Sequence, residues 1–186
     1  MIIAMAGLPG VGKTTLARAL APHLDAVVLD KDRVRLGLFG PSHVDYTDEQ
    51  DDFCVDLMYR ATAWLRQRNL APAVILDGCT YTRADQVTAL RRVAADLDEA
   101  LQIIECTCQD TLAVARIEGD RAAARHPAAN RDSALYRRFQ AAAVPITEPK
   151  LVLDTGRSVA VNVADCLAHL AALRPDLAAG VIDARS

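Results

Sequence analysis

The sequence predicts an α/β fold, a doubly wound parallel sheet with helices on both faces. Three observations predict it. Five short runs rich in Val, Ile and Leu are apolar at consecutive positions, the pattern of strands buried on both faces. Stretches with helical apolar spacing separate these runs, and strand–helix alternation winds a parallel sheet. The first run also ends in a glycine-rich turn that opens a helix. In such sheets ligands bind beyond the carboxyl ends of the strands, so the residues ending each run are the candidates for chemistry.

The first run, IIAMAG, leads into GLPGVGKTT and then the helical spacing of LARAL, with the helix expected over Lys13–Leu24. In G-x-x-x-x-G-K-[ST] the glycines let the backbone curl so that its N–H groups point at a phosphate. The following helix adds its positive N-terminal end. Gly7, Gly10, Val11, Gly12, Lys13, Thr14 and Thr15 therefore form a candidate site for a nucleoside triphosphate. Lys13 is placed to reach the β- and γ-phosphates, and the Thr14 hydroxyl to ligate Mg²⁺.

The second run, AVVLD at 26–30, continues as KDRVR. Asp30 and Asp32 are two apart, so on a continuing strand they face one side. Arg35 follows Asp32 by three, one turn on if a helix begins there. In a phosphoryl-transfer site one carboxylate accepts the proton of the attacking hydroxyl, another helps to hold Mg²⁺, and the arginine fixes the acceptor. A helix cap at Asp30 beside a solvated charge run accounts for the same letters. Next comes YTDEQDDFCVD, where Thr47 is a natural N-cap with Gln50 three residues later, opening a helix over Thr47–Asn69. Most of its acidic residues suit a solvated helix start, and a polar or cationic acceptor nearby is the alternative.

The third run, AVILDG at 73–78, ends in Asp77, a second candidate for assisting Mg²⁺; sequence does not rank it against Asp30. A helix over Asp85–Leu97 follows, then the fourth run, LQIIECT at 101–107. Beyond it six arginines crowd residues 116–138, against Glu118, Asp120 and Asp132. Arg116, Arg121 and Arg125 are candidates for one broad helical face. The segment lacks a strong apolar stripe, so it is expected to stay out of the core. HPAANRD interrupts it, and a second helix is expected from Asp132 or Ser133. An arginine-rich helical hairpin over the strand ends suits a lid that spreads phosphoryl charge and excludes water. The fifth run, KLVLDT at 150–155, precedes a helix over Val159–Leu173. Residues 1–173 thus read as one domain, and 174–186 as a tail.

The chain has 186 residues, with 21 Lys plus Arg against 24 Asp plus Glu, a formal charge of −3. That balance weighs against a nucleic-acid partner, which needs a basic face. No apolar run reaches membrane-spanning length, and the first is too short for a signal peptide, so a cytoplasmic protein is expected. The five cysteines (54, 79, 106, 108 and 166) are scattered; they read as buried reduced thiols, because Cys106-x-Cys108 has no further ligands near it in sequence. His23, His43, His126 and His169 are dispersed and lack metal-ligand spacing.

Taken together, GLPGVGKTTLARAL, LDKDRVR, VILDG, the arginine segment and LVLDT resemble the AAA-type small P-loop kinases of the polynucleotide-kinase, zeta-toxin and chloramphenicol-phosphotransferase group, over roughly residues 1–173. The resemblance implies a five-stranded sheet in the order 2-3-1-4-5. It implies Lys13 and Thr14 on the phosphates and Mg²⁺, Asp32 facing the acceptor hydroxyl with Arg35 beside it, and Asp77 as the strand-three carboxylate. It implies Arg116 and Arg121 as lid arginines, although their spacing of five departs from the four often found, leaving Arg125 as an alternative. It places adenine near Thr155, Gly156, Arg157 and Ser158.

The leading reading is an ATP- and Mg²⁺-dependent phosphotransferase acting on a hydroxyl of a small metabolite or antibiotic. A 5′-hydroxyl polynucleotide kinase is a second reading, weakened by the charge and by only four Tyr, three Phe and one Trp for stacking bases. A nucleotide-hydrolysing switch is a third, in which Asp32 and Arg35 lack a purpose.

Overall fold

The computed structural model describes residues 1–123 and 132–173. Its elements run β1 (Ile2–Ala6), α1 (Lys13–Leu20), β2 (Ala26–Asp30), α2 (Lys31–Phe39), α3 (Asp48–Gln67), β3 (Ala73–Asp77), α4 (Ala84–Asp96), β4 (Leu101–Thr107), α5 (Asp110–Ala122), α6 (Ser133–Ala142), β5 (Leu151–Asp154) and α7 (Val159–Leu173). The five strands form one parallel sheet in the order β2-β3-β1-β4-β5. Both the class and the strand order are those expected from the sequence.

Alternation along β1 explains why its run is apolar throughout. Ile3 and Met5 face a core shared with α1, α5 and α7 through Leu16, Leu20, Ile117 and Leu170. Ile2, Ala4 and Ala6 face a second core with α3 and α4 through Met58, Val87 and Leu90. Every β1 side chain is 0% exposed, and each large one contributes about 1.5–3 kcal/mol by leaving water. The sheet is therefore sandwiched, and only its strand ends and loops remain for chemistry.

Helix boundaries depart from expectation where local chemistry intervenes. The helix expected over Lys13–Leu24 stops at Leu20, and Ala21–His23 forms a 3₁₀ turn, because Pro22 supplies no N–H to continue the α-helical ladder. Strand β2 ends at Asp30, so Asp30 and Asp32 do not alternate along one strand; α2 begins at Lys31 instead. Thr47 caps α3 by accepting from the Gln50 N–H at 3.1 Å. Asp132 caps α6 by accepting from the Leu135 N–H at 2.7 Å.

The arginine segment corrects one expectation. Helix α5 packs into the core through Ala113 and Ile117, and α6 through Tyr136, all at most 2% exposed. A few well-spaced side chains do this without a long apolar stripe. The Tyr136 hydroxyl also donates to Asp110 at 2.7 Å, and Gln140 Nε2 at 2.9 Å, fastening α6 to the start of α5. Arg125, His126, Arg131 and the tail from 174 lie outside the described residues.

Candidate active site

The ends of β1, β2 and β3, with α5, α6 and the turn after β5, enclose a cleft of about 900 Å³. Its floor is the glycine-rich loop. Gly10 has φ +79°, and a Cβ there would lie 2.5 Å from the Ala113 carbonyl oxygen and 2.8 Å from Ile117 Cγ1. Only glycine lets the loop turn so tightly against α5. Gly10, Gly12, Lys13, Thr14 and Thr15 line the cleft; Gly7 and Val11 do not. The Gly7 N–H is tied to the Thr80 carbonyl at 3.1 Å. No side chain caps α1, whose N-cap is Gly12, so the first N–H groups of the helix lack an acceptor that a phosphate oxygen could replace. Lys13 Nζ donates to the carbonyls of Gly7 (2.6 Å) and Leu8 (2.8 Å), anchoring its charge at the loop.

Asp30 and Asp77 sit opposite one another in the β2–β3 register, yet their surroundings differ. Asp30 is the N-cap of α2: its Oδ1 accepts from the N–H groups of Asp32 (3.1 Å) and Arg33 (3.4 Å), and its Oδ2 pairs with Arg18 at 3.3 Å. Asp77 is 0% exposed, and neither of its oxygens meets a donor in hydrogen-bond geometry. Burial pushes its carboxyl up; the nearby Thr14 hydroxyl, the Lys13 charge and the Gly78 N–H offset this only in part. An orphaned carboxylate beside the Thr14 hydroxyl suits a cation held between oxygen donors and phosphates.

Asp32 and Arg35 share the first turns of α2, with Arg35 Nη1 on Asp32 Oδ1 at 2.7 Å. The Arg35 side chain is 3% exposed, lies 5.3 Å from the centroid of the Tyr46 ring, and also pairs with Asp51. Asp51 in turn pairs with Lys31. Tyr46 holds φ +55°, an uncommon conformation for a bulky residue. Sequence reasoning missed Asp51: its partners lie 16 and 20 residues earlier, beyond any helical spacing, and its acidic neighbours suggested a solvated helix start.

Arg116 reaches across the loop. Its Nη2 donates to the Thr155 carbonyl at 2.9 Å and its Nη1 to Thr155 Oγ1 at 3.3 Å, while that hydroxyl donates to the Val11 carbonyl at 2.6 Å. Arg121 is exposed and does not line the cleft. Five helical residues rotate by about 140° from the starting face, so Gly119 and Asp120 share Arg116's side instead. From α6, Arg138 and Phe139 line the cleft, a contribution that the position of the second helix alone could not assign. After β5, Arg157 lines the cleft and pairs with Asp165 at 2.7 Å; Gly156 lies off it, its N–H turned to Asp154 Oδ1. Burial pushes the Cys106 thiol up to about 12, so it stays protonated. No helix among the described residues is long and apolar enough to cross a membrane.

Comparison with known proteins places this geometry. A family model for the AAA domain matches residues 2–146. No curated protein matches the chain. Among solved structures, a protein from Chloroflexus aurantiacus provisionally assigned as a kinase superposes with TM-score 0.72 at 22% identity, covering 90% of this chain and 97% of that one. A gluconokinase from Sinorhizobium meliloti gives TM-score 0.67 at 16% identity, covering 94% of each chain. An APS kinase from Mycobacterium tuberculosis, in complex with AMPPNP and APS, gives 0.66 at 19%, covering 91% and 96%. The chain belongs to the AAA domain family and shares its overall fold with these kinase structures.

Proposed function

We propose that this protein is an ATP- and Mg²⁺-dependent phosphotransferase that moves the γ-phosphate to a hydroxyl of a small molecule. One observation carries the reading: a single cleft holds both an uncapped phosphate loop and a carboxylate set by an arginine, Asp32 on Arg35 at 2.7 Å. The family match and the kinase-like fold support it. A switch that only hydrolyses nucleotide needs the loop but not the Asp32–Arg35 pair.

The loop N–H groups and Lys13 bind the triphosphate at the α1 N-terminus. Thr14 and Asp77 are the residues that would hold Mg²⁺, which when bound neutralises phosphate charge. Arg35 fixes the Asp32 carboxylate towards the acceptor. The acceptor oxygen then bonds to the γ-phosphorus as the bond from that phosphorus to the β–γ bridging oxygen breaks. ADP leaves, and the hydroxyl proton passes to Asp32. Lys13 and Arg116 stabilise the charge in transit, with Arg138 closing from α6. Arg121, exposed and off the cleft, is assigned no contact with the transferred group. Arg157 is the candidate neighbour of the base, with Gly156 shaping the turn.

The test is ADP release from ATP and Mg²⁺ with a panel of nucleosides, sugars, aminoglycosides, chloramphenicol and a 5′-hydroxyl oligonucleotide, comparing wild type with Asp32→Ala. Acceptor-stimulated turnover lost in Asp32→Ala, with ATP binding retained, is the expected result. Slow hydrolysis indifferent to every acceptor and to Asp32 would overturn the reading in favour of a switch.

A further inference from the structure

The cations of the cleft divide by what they face. Lys13 and Arg116 attend the phosphate loop, Arg18 pairs with Asp30, and Arg157 pairs with Asp165. On α2, where the acceptor would dock beside Asp32, the cations lining the cleft are Lys31 and Arg35. Both are already engaged. Lys31 pairs with one oxygen of Asp51, and Arg35 pairs with the other as well as with Asp32. Their side chains are only 12% and 3% exposed, so turning either to a new anion would strip a half-buried Asp51 of one of its two cations.

The remaining charge at this end is negative. Asp48 lines the cleft with an 89% exposed side chain whose ion pair, to Arg83, is long at 3.8 Å. Residues 45–56 carry six carboxylates and no Lys or Arg. An acceptor bearing a carboxylate or phosphate near its reacting hydroxyl would meet repulsion from Asp32, Asp48 and Asp51 without a cation released to answer it. Arg116 on α5 and Arg138 on α6 line the cleft with no carboxylate partner among the described residues, and both come from the α5–α6 side and not from the acceptor wall on α2.

We propose that Asp51 determines acceptor specificity: by neutralising Lys31 and Arg35 it makes this end select uncharged and amine-bearing hydroxyl compounds over sugar acids and phosphorylated acceptors. The proposal rests on the phosphotransferase reading and sharpens it. Asp51 is a specificity-determining residue and does not itself move a proton or a phosphoryl group. Asp51→Asn keeps the shape, frees Lys31 from its ion pair, leaves Arg35 on Asp32 alone, and removes the net negative charge of the group formed by Lys31, Arg35, Asp32, Asp48 and Asp51.

The experiment measures kcat/KM for acceptors matched in carbon skeleton but differing in charge, with glucose, glucosamine and gluconate as one triad and amino, neutral and acid forms of shorter polyols as others. In wild type the acid is expected at least about tenfold below its neutral counterpart, and the amine at or above it. In Asp51→Asn the acid-to-neutral ratio should rise at least about tenfold, and Asp51→Glu should retain the wild-type ratio. A merely structural role would lower every acceptor alike and leave the ratios in place. Turnover of the acid as good as that of its neutral partner in wild type, or an unmoved ratio in folded Asp51→Asn, overturns the proposal while the kinase reading stands. Should Asp51→Asn fail to fold, the wild-type ratios alone decide. Silence of every triad and of the wider panel overturns both.

Discussion

Replacing Asp77 by Asn should stabilise the free protein while weakening its response to Mg²⁺ and nucleotide. Asp77 is fully buried with both oxygens unpaired, and burial holds its carboxyl above the ordinary carboxylate range, partly offset by Thr14 and Lys13. A buried polar group without partners costs about 1–3 kcal/mol. The amide keeps the shape and removes the charge. It still leaves polar atoms poorly satisfied, so a gain of about 1–2 kcal/mol is expected, or roughly 2–8 °C in Tm for a chain of this size. The sign with pH follows from the raised folded pKa. The native state binds this proton more tightly than the unfolded chain, so wild type gains stability on the variant as pH falls towards the unfolded pKa. The variant's advantage is therefore greatest near neutrality and fades as the solution is acidified through the raised folded pKa. A ligand at a hundred times its Kd adds about 2.7 kcal/mol. If Asp77 serves the metal, the variant binds Mg²⁺ and nucleotide more weakly and the order of stability reverses when both are added, while activity drops about 10–100-fold. Thermal unfolding with and without Mg²⁺ and ATP reads all of this. A free variant less stable than wild type, with an equal ligand-induced shift, would refute the reasoning and make Asp77 a structural residue.

Two further perturbations probe the frame that presents the site. Glu99 pairs with the Met1 ammonium at 2.6 Å and Arg66 at 2.7 Å; burial resists its ionisation, but those two bonds outweigh it and hold the carboxyl below its ordinary 4.5. Its contribution is complete above that value and is lost as pH falls through the depressed folded pKa, so Glu99→Gln should cost about 2–4 kcal/mol near neutrality and flatten the acid limb, as urea titrations across pH would show. Gly10→Ala forces a Cβ to within 2.5 Å of the Ala113 carbonyl at φ +79°, which should cost about 1–2 kcal/mol in backbone conformation alone and loosen α5 from the loop. An unchanged denaturation midpoint with unchanged nucleotide affinity would show that the loop yields there freely.

The sheet was legible because its strands are buried on both faces, and an apolar run such as AVILD has few other uses. The phosphate loop was legible because backbone geometry forces its letters. The contrast between Asp30 and Asp77 was not, since it lies in what each oxygen meets: two N–H groups of α2 and Arg18 for one, nothing in hydrogen-bond geometry for the other. Arg121's departure from the cleft was partly legible, as a spacing of five turns a helix to another face. Its companions on α6 and the hold of Asp51 on α2 depend on how separate helices pack, and no local periodicity carries that.

Those contrasts share a physical logic. Asp30 and Asp77 end neighbouring strands at the same level, and the fold satisfies one while starving the other. It leaves α1 without a side-chain cap at the same spot, whereas Asp30, Thr47 and Asp132 cap α2, α3 and α6. Ser158 likewise accepts from the Val161 N–H at the start of α7, and α5 shares the lack of a side-chain cap; what sets α1 apart is the unpaired Asp77 carboxylate beside its first turn. The uncompensated groups are an anion and a set of cationic dipoles, side by side, and a phosphate with its metal would satisfy both at once. Arg116 lies against this gap and is tied through the Thr155 hydroxyl to the Val11 carbonyl within the loop. Any shift of α5 would thereby be felt at the loop.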